Sequence, residues 1–499
     1  MKIKRVLLFL MALIMLLSCL ASCKTNDGSN DTGDTSNTEA VSDVETEWEV
    51  YDENGYLMDR LPEDLNFKGQ KVDMLHWQTN GEYVTDTAKD AISSALYYKV
   101  LNTQSRLNSF ISIEYAPGGW DKRADFITKV YNDVMTGEPH FEIVSNYSFA
   151  APIGAMYGIY QNLNDVKYID FEMPWWYSDV KDFAEIDGKF YFATGDIAAN
   201  ATKMIVCMFF NADLMEASGY NVNEFYADAI AGNWTFEKMK TIVKNTYSDA
   251  NGDTIVNSGD NFGLVLPDNT MYDALFYGAN MRIIDRNDDG SYSLSRDWAG
   301  VKTVTLVEEC QNLFYSQDCL IGDGGYKAFE EKRSLFILSC FNYALGNLKD
   351  VDFKYGVLPV PKYDEIQPNY GTCHAATVSL YSVTYNCTST DLAGATLEAL
   401  ASDGYRNVSP AIFEDGLKAK YSESANDAPL YDIIRASVMF DIGRLWGDQI
   451  TAEQWRNAFG TFRNAIEHQS GWMSLVAKTQ GPYIECLNRI VDTVTALDH

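Results

Sequence analysis

The spacing of apolar and polar residues along the first part of the chain predicts strands and helices that alternate in the sequence. A period of two, typical of a β-strand, appears in KVDMLHW, which ends at Trp77. Helical spacing follows over 90–108, a second strand is predicted in ISIEYA, and a helix in KRADFITKVYNDVMTGEP ends at Gly137 and Pro139. A third strand is predicted in FEIVSNY. This order of elements predicts a parallel sheet with right-handed crossovers.

The carboxyl ends of these strands form the first candidate site. In open α/β sheets, ligands bind in the crevice outside the carboxyl ends of the strands. Trp77 follows the first predicted strand, and Asn146 and Tyr147 come at the end of the third. We therefore expect these three side chains to face a ligand.

A second set of apolar strands begins after residue 203. The run MIVCMFF predicts the first of them and a crossing into a second lobe, and SLFILSC predicts a later strand that ends in Asn342 and Tyr343. Between them, Asp289-Gly290 predicts a hairpin turn. Since the chain is longer than the roughly 250–300 residues at which a single core stops growing, two lobes are expected.

The N-terminus has the pattern of an export signal. Three cations precede an apolar run over 6–17, and small residues then lead to a cysteine. The sequence LASC, which ends at Cys23, resembles the bacterial lipobox. That resemblance implies a lipoprotein signal peptide at 1–22 and a lipid on the Cys23 thiol. The alternative is an ordinary signal peptide followed by an incidental cysteine.

The chain is polar after the signal and strongly acidic throughout. Residues 23–66 form a flexible acidic tether with a polar lead-in, because they contain too few apolar side chains to offset the entropy of ordering. The net charge of −31 disfavours nucleic acid and anionic membranes as partners and favours neutral or cationic ligands. Nine cysteines, of which only Cys19 and Cys23 lie near the signal, show no repeated spacing, which predicts buried free thiols.

An acidic stretch, YSDANGDTIVNSGDNFG, resembles a calcium-binding EF-hand loop. Oxygen-bearing groups fall at its six ligand positions: Asp249, Asn251, Asp253, the carbonyl of Ile255, Asn257 and Asp260. Thr254 stands where the sharp turn needs glycine, Asp260 replaces the usual bidentate glutamate, and a strand is predicted next instead of a helix. The alternative is a solvated turn, and any calcium here would be structural.

The order of several short motifs resembles a known family. FFNADLMEASG is followed by NWTFEKM, then by the acidic stretch with NFGL, and later by KYGVLPVPKYDE. Together with the lipobox and the tether, this order resembles the bacterial extracellular solute-binding lipoproteins of ABC importers, in the family that mostly carries sugars (family 1). No single motif is specific, so the resemblance depends on their order and spacing over nearly the whole exported chain.

The resemblance implies an α/β fold with two lobes, of the periplasmic-binding-protein type II, each lobe a mostly parallel sheet flanked by helices and discontinuous in sequence. We expect the N-terminal lobe at 67–203 and 325–368, and the C-terminal lobe at 204–324 and 369–499. The resemblance also implies an ABC permease as partner, a monomer, no required cofactor, and attachment to the outer face of the cytoplasmic membrane through Cys23.

A sugar between the lobes would need aromatic rings for its C–H faces and amide or charged groups for its hydroxyls. The candidates are Trp77, Asn146, Tyr147, Asn342 and Tyr343 from the first lobe, and Tyr277, Asn280, Tyr370 and Trp446 from the second lobe and the crossings. For each of them, packing in the core is the alternative. The pair Trp175-Trp176 is more typical of a loop anchor than of a binding platform.

Two other classes of protein remain open at this point. A secreted carbohydrate-active enzyme would need two carboxylates about 5–10 Å apart, which the sequence does not exclude. A ligand-sensing surface lipoprotein could use the same scaffold. The five histidines lack metal-ligand spacing, and no nucleophile-elbow, phosphate-loop or dinucleotide motif occurs.

Overall fold

The computed structural model describes residues 49–78, 81–84, 90–322, 324–375, 377–418, 428–449, 451–452 and 456–498. The predicted signal peptide, Cys23 and most of the tether lie outside the described residues.

The strands are β1 Gln70–His76, β2 Ser109–Tyr115, β3 Ile143–Tyr147, β4 Val206–Asn211, β5 Phe262–Leu266, β6 Ile284–Arg286, β7 Tyr292–Leu294, β8 Cys319–Ile321, β9 Ser334–Cys340, β10 Tyr355–Leu358, β11 Ser379–Val383, β12 Thr451–Ala452 and β13 Arg456–Asn457. The α-helices are Ala91–Leu107, Arg123–Val134, Ala151–Met156, Ser178–Ala184, Ala199–Lys203, Ala212–Ala217, Val222–Ile230, Phe236–Val243, Tyr272–Gly278, Val301–Phe314, Gly325–Glu330, Phe341–Gly346, Thr390–Asp403, Ala428–Ala436, Ile442–Leu445, Ala458–Glu467 and Trp472–Thr495.

Sheet A has the strand order β11-β3-β1-β2 and is the framework of the first lobe. β1 pairs in parallel with both β2 and β3, while β11 pairs antiparallel with β3. The three strands predicted in the first part of the chain and their parallel arrangement are therefore confirmed. The carboxyl ends of β1, β2 and β3 lie at one edge of this sheet, as the pairing register requires.

Sheet B has the strand order β10-β4-β9-β5-β8 and is the framework of the second lobe. β4 pairs antiparallel with both β9 and β10, and β5 pairs in parallel with β8 and β9. The predicted division of the chain is wrong here, because β9 and β10 lie within 325–368 and yet belong to the sheet of β4. Conversely, β11 was expected in the C-terminal lobe and lies in sheet A. β9 lies inside sheet B, since it pairs with β4 along one edge and with β5 along the other, which accounts for its continuous apolar sequence.

Three segments run side by side between the two sheets. The backbone N–H of Val206 donates to the carbonyl of Cys373 at 2.9 Å, and that of Ala375 donates to Met204 at 2.7 Å. On the other side, Thr372 N–H donates to the carbonyl of Ser437 at 2.8 Å. Segments 204–206, 372–375 and 437–439 therefore form the connection between the lobes.

Several smaller predictions are confirmed. The turn at 289–290 joins β6 and β7 in an antiparallel hairpin. The seven cysteines of the described chain are buried thiols that form no disulfide with one another. The indole N–H groups of Trp175 and Trp176 both donate to the Glu398 carboxylate, so the pair anchors a loop to the helix Thr390–Asp403.

In the part of the chain that the structure describes, no helix combines the length and apolar character needed to span a membrane.

Candidate ligand-binding cleft

Two of the predicted residues meet at the carboxyl edge of sheet A. The ring centroids of Trp77 and Tyr147 lie 5.1 Å apart, and both side chains are buried. The Trp77 indole N–H donates to Ser379 Oγ at 2.9 Å, which fixes its orientation. Burial raises the pKa of Tyr147 to about 12, so its hydroxyl stays protonated. Both rings are held rigidly at the place where the topology puts a ligand.

Asn146 faces the opposite side of the sheet from Tyr147, because neighbouring residues of a strand alternate. Its Oδ1 accepts a hydrogen bond from the Tyr160 hydroxyl at 2.7 Å, and its Nδ2 donates to Ser382 Oγ at 3.3 Å. The structure therefore places Asn146 inside the core of the first lobe and not at its binding edge.

An open groove lies outside the ends of β1 and β2, and we call it the edge groove. It has a volume of about 460 Å³ and is lined by Trp77, Gln78 and residues 115–122. Within it, the Trp120 side chain is 40% exposed, and its ring contacts Phe149 with centroids 5.8 Å apart. Sequence reasoning missed Trp120, although it follows β2 as Trp77 follows β1.

A smaller cavity of about 30 Å³ lies between the end of β3, the connecting segments and the helix Ile442–Leu445. We call it the central cavity, and it is lined by Ser148, Phe149, His374, Ala375, Val378, Leu380, Met439, Phe440, Asp441, Arg444 and Leu445. Its walls come from the first lobe, from the segments that join the lobes and from the C-terminal part of the chain.

Asp441 is the acidic residue of the central cavity, and hydrogen bonds hold it firmly. Its carboxylate accepts from the backbone N–H groups of Ile283 at 2.6 Å and Gly443 at 2.7 Å, and from the Tyr277 hydroxyl at 3.3 Å. Burial raises its pKa, while these backbone donors oppose the rise. Asp441 therefore organises the wall of the cavity, and its oxygens are engaged by protein groups.

Arg444 is the basic residue of the central cavity. Its Nη2 lies 3.6 Å from an oxygen of the fully buried Asp273, whose carboxylate accepts hydrogen bonds from Arg463 through both oxygens. Among the described residues, Arg444 Nε and Nη2 have no hydrogen-bond acceptor. Sequence reasoning missed this residue, since a single arginine within a helical segment gives no signal.

His374 lies beside Arg444 in the same cavity. Its ring stacks near Tyr177, with centroids 6.2 Å apart, and lies 5.1 Å from the Phe440 ring. Burial lowers its pKa to about 3, and the nearby Arg444 charge acts in the same direction, so the imidazole is neutral at physiological pH. Its Nε2 is buried and has no hydrogen-bond partner in the described part of the chain.

Two candidates from the second group, Tyr277 and Trp446, lie next to the central cavity without lining it. Tyr277 is fully buried and supports Asp441 through its hydroxyl. Trp446 follows Arg444 and Leu445 in the chain, is buried, and contacts the Phe192 ring at 5.9 Å. Both therefore pack behind the cavity wall.

The structure places the remaining four candidates away from this cavity. Tyr343 belongs to the second lobe, contrary to the prediction, and its hydroxyl donates to Glu330 at 3.2 Å. The neighbouring Asn342 is exposed, and so is Asn280, which follows the helix Tyr272–Gly278 with a φ of 53°. Tyr370 donates to the Ala229 carbonyl at 2.8 Å within the second lobe.

Side chains also join the two lobes around the central cavity. Arg123, which begins the helix after β2, donates through Nε to the carboxylate of Asp448. On another side, Arg286 of β6 donates to the carbonyl of Asp182 at 2.7 Å.

The acidic loop has the backbone form of a cation-binding loop. Carboxylate oxygens of Asp249, Asp253 and Asp260 lie within 4.8 Å of one another. Thr254 adopts the left-handed conformation, with a φ of 62°, that the glycine of an EF-hand loop normally supplies. The threonine therefore does not prevent the turn, and the strand β5 follows the loop as predicted.

Asp260 gives this loop a buried acceptor. Its side chain is fully buried, and Oδ2 accepts from the backbone N–H of Asn257 at 3.1 Å and the Tyr247 hydroxyl at 3.2 Å. Among the described residues, no donor reaches its Oδ1. The donor set of carboxylate, amide and carbonyl oxygens is the one that Ca²⁺ prefers.

Two solved structures with a similar fold are of sugar-binding proteins. The galacto-N-biose-/lacto-N-biose I-binding protein of the ABC transporter from Bifidobacterium longum, in complex with lacto-N-biose, matches with a TM-score of 0.55. A cyclo/maltodextrin-binding protein complexed with maltotetraose matches with a TM-score of 0.53. Each is 11% identical to this chain, and each match covers 85% of this chain and 98% of the other.

No protein-family model and no curated protein matches the sequence. At 11% identity the likeness of the structures concerns the fold, and it agrees with the two sheets and the three connecting segments. The chain therefore has the two-lobed α/β fold of these solute-binding proteins, as the sequence predicts.

Proposed function

We propose that this protein is the extracellular solute-binding component of an ABC importer and that it captures a carbohydrate, a mono- or oligosaccharide, between its lobes. The observation that carries this proposal is the position of the central cavity. It lies at the carboxyl edge of sheet A and touches the segments that join the lobes, so ligand binding and lobe closure are coupled there. Solute-binding proteins close their two domains around a ligand by such hinge motions.

The chemistry of the cleft supports a saccharide as ligand. Trp77 and Tyr147 supply aromatic surface at the edge of sheet A, and Trp120 extends that surface along the edge groove. Aromatic rings pack against the C–H faces of sugars, while charged and amide groups bond the hydroxyls. At about 30 Å³, the central cavity holds little more than a water molecule. A sugar therefore enters only when the lobes separate.

A thermal-shift screen of the mature chain against a glycan panel tests this proposal. A true ligand stabilises the folded state by about 2.7 kcal/mol at a hundredfold excess over Kd, so its melting temperature rises with concentration. Phe440→Ala should reduce that rise, because Phe440 lines the central cavity. Phe110→Ala is the matched control, since Phe110 is exposed near the amino end of β2. The proposal fails if no saccharide shifts the melting temperature.

The export and anchoring of the chain belong to the same proposal. Lipid attachment at Cys23 would hold a monomer at the outer face of the cytoplasmic membrane, next to the permease that receives the ligand. Metabolic labelling with palmitate should label the native chain and leave Cys23→Ser unlabelled and released. Two permease genes beside this one would support import, whereas a neighbouring histidine kinase gene would support ligand sensing.

A carbohydrate-active enzyme is the competing reading of the same cleft. A glycosidase needs two carboxyl groups flanking the scissile bond, at about 5–10 Å from each other. Of the described residues that line the central cavity, Asp441 alone has a carboxyl group, and its oxygens accept hydrogen bonds from the protein. We therefore propose binding without chemical change. Chromatography of oligosaccharides after incubation with the protein would detect cleavage and contradict this proposal.

We also propose a structural calcium ion in the acidic loop, held by Asp249, Asn251, Asp253, the carbonyl of Ile255, Asn257 and Asp260. The unmatched, buried Oδ1 of Asp260 supports this proposal, because a cation would engage it. Adding Ca²⁺ after chelation should raise the melting temperature of the native chain. Asp260→Asn should abolish that rise, while Asp288→Asn, in the exposed hairpin turn, should keep it. An equal response in both variants would contradict the calcium site.

A further inference from the structure

The guanidinium of Arg444 is the least satisfied charged group of the central cavity. Its Nε and Nη2 are buried and have no oxygen or nitrogen acceptor at hydrogen-bond distance among the described residues, although the Cys373 thiol and the Asp273 carboxylate lie close to the guanidinium. Leaving a buried donor without an acceptor costs about 1–3 kcal/mol, and more when the group is charged. An arginine kept in this situation stabilises the protein little by itself, and it favours a ligand that supplies the acceptors.

Asp273 does not satisfy Arg444, because another arginine already occupies it. Arg463 donates through Nε to Asp273 Oδ1 at 2.8 Å and through Nη2 to Oδ2. This fork is the geometry in which arginine binds a carboxylate most strongly. Arg444 is left 3.6 Å away, at the distance of an ion pair without a hydrogen bond.

Aromatic rings hold the Arg444 guanidinium in place. Its Cζ lies 5.9 Å from the centroid of the Tyr277 ring and 5.7 Å from that of Phe459. Cation–π contacts of this kind fix a guanidinium without using its N–H donors. The free edge of Arg444 is therefore oriented before any ligand arrives.

The other arginines near the cavity have acceptors of their own. Arg463 donates to both oxygens of Asp273, and Arg282, which is only partly buried, donates to the Phe440 carbonyl and acts electrostatically on Asp179 and Asp441. Arg444 differs from both, because its Nε and Nη2 have no hydrogen-bond acceptor among the described residues.

The net negative charge of the chain disfavours an anionic ligand, but its effect at this site is weak. The net charge of −31 favours neutral or cationic ligands as a long-range effect. At physiological ionic strength the Debye length is about 8 Å, so exposed acidic residues beyond it are largely screened. Inside the cavity, the contact with Arg444 decides which charge is favoured.

We propose that the ligand is an anionic saccharide whose acidic group, a carboxylate or a sulfate, binds Arg444 in the central cavity. The inference rests on the proposed function and names the substrate class of the same site. The acidic oxygens accept from the Arg444 guanidinium, which lines the cavity, and the sugar hydroxyls have His374 Nε2 as a neighbouring partner. A neutral imidazole can bond a hydroxyl through either ring nitrogen.

Calorimetric titration of the mature chain with matched pairs of sugars tests this inference. The pairs are glucose and glucuronate, galactose and galacturonate, galactose and galactose 6-sulfate, and galactobiose and digalacturonate. We expect at least one acidic member to bind tenfold or more tightly than its neutral partner. Comparison of the galactose 6-sulfate pair with the uronate pairs shows whether a sulfate or a carboxylate is bound.

Variants of Arg444 assign the preference to this side chain. Arg444→Gln should remove the preference for the acid, and Arg444→Lys should retain part of it, because the charge stays while the planar fork is lost. Arg296→Gln is the matched control, since Arg296 is exposed and its loss changes the net charge by the same amount. A preference lost equally in Arg296→Gln would overturn the inference.

The native chain provides a test that does not depend on the folding of any variant. The acidic sugar should bind more tightly than its neutral partner at both 20 and about 500 mM salt, because a buried ion pair is screened much less than exposed charges. If neutral sugars bind and acids show no preference, the inference fails and the proposed function stands. If neither kind binds, both fail together.

Discussion

Glu398 and Arg444 each carry a buried ionisable group, and the two groups differ in how completely the protein satisfies their hydrogen bonds. The Glu398 carboxylate accepts hydrogen bonds from the indoles of Trp175 at 3.1 Å and Trp176 at 2.8 Å, and from the backbone N–H of Asp170 at 3.2 Å. Arg444 has two buried nitrogens without any acceptor in the described chain. The first arrangement is that of a structural anchor, and we propose that the second is that of a binding group. Satisfaction of hydrogen bonds separates the two roles where burial alone does not.

The largest effect on stability is expected at the anchor. Glu398→Ala removes the acceptor of two buried indoles and of one partly buried backbone N–H and leaves a cavity, so it should lower the free energy of unfolding by about 3–5 kcal/mol. Urea denaturation measures this loss. Glu414→Ala, at a carboxylate that is 56% exposed, should cost less than about 1 kcal/mol. A loss below 1 kcal/mol in Glu398→Ala would show that the indoles find other partners.

The pH dependence of stability sharpens the same contrast. Burial raises the pKa of Glu398 from 4.5 to about 8, so the folded chain binds a proton that the unfolded chain has released. The stabilisation is complete below pH 4.5 and is lost as the pH rises through about 8. The melting temperature should therefore fall more steeply between pH 5 and 8 in the native chain than in Glu398→Gln. Parallel curves would contradict the raised pKa.

A smaller effect is expected at the edge of sheet A. Trp77→Phe keeps an aromatic ring against Tyr147 but loses the hydrogen bond to Ser379, and should cost about 1–2 kcal/mol. Trp120→Phe should cost less than about 0.5 kcal/mol, because its side chain is 40% exposed. Denaturation of the two variants gives these values. Equal losses would mean that Trp77 is not held more rigidly than Trp120.

The sequence predicted the local elements of the first lobe better than the pairing of the second. KVDMLHW overlaps β1 because alternation with a period of two directly reflects one buried face. In contrast, nothing local marks which sheet an apolar run such as β9 joins, since its partners β4 and β5 are distant in sequence. The expectation that Asn146 faces a ligand was wrong for a related reason. The sequence indicated where the strand ends, but it did not indicate on which face of the sheet each residue lies.

The candidate site was predicted only in part. The rule that ligands bind outside the carboxyl ends of the strands predicts Trp77 and Tyr147 as candidates. The same rule also predicts Trp120 once the end of β2 is known. Arg444 and His374 reach the central cavity through the connecting segments, whose course depends on contacts between distant parts of the chain. Their roles become visible only when unmatched hydrogen-bonding groups are located in the folded structure.

A small effect on the free protein is also expected at Arg444 itself, and the comparison with Arg463 tests the distinction between a structural anchor and a binding group. Arg444→Gln removes a charge that is poorly satisfied, so the free energy of unfolding without ligand should change by less than about 1 kcal/mol. Arg463→Gln should cost more, about 2–3 kcal/mol, because it breaks the fork to the buried Asp273. Urea denaturation of both variants decides the point. If Arg444→Gln is the more damaging variant, Arg444 serves stability, and the unmatched nitrogens do not indicate a binding role.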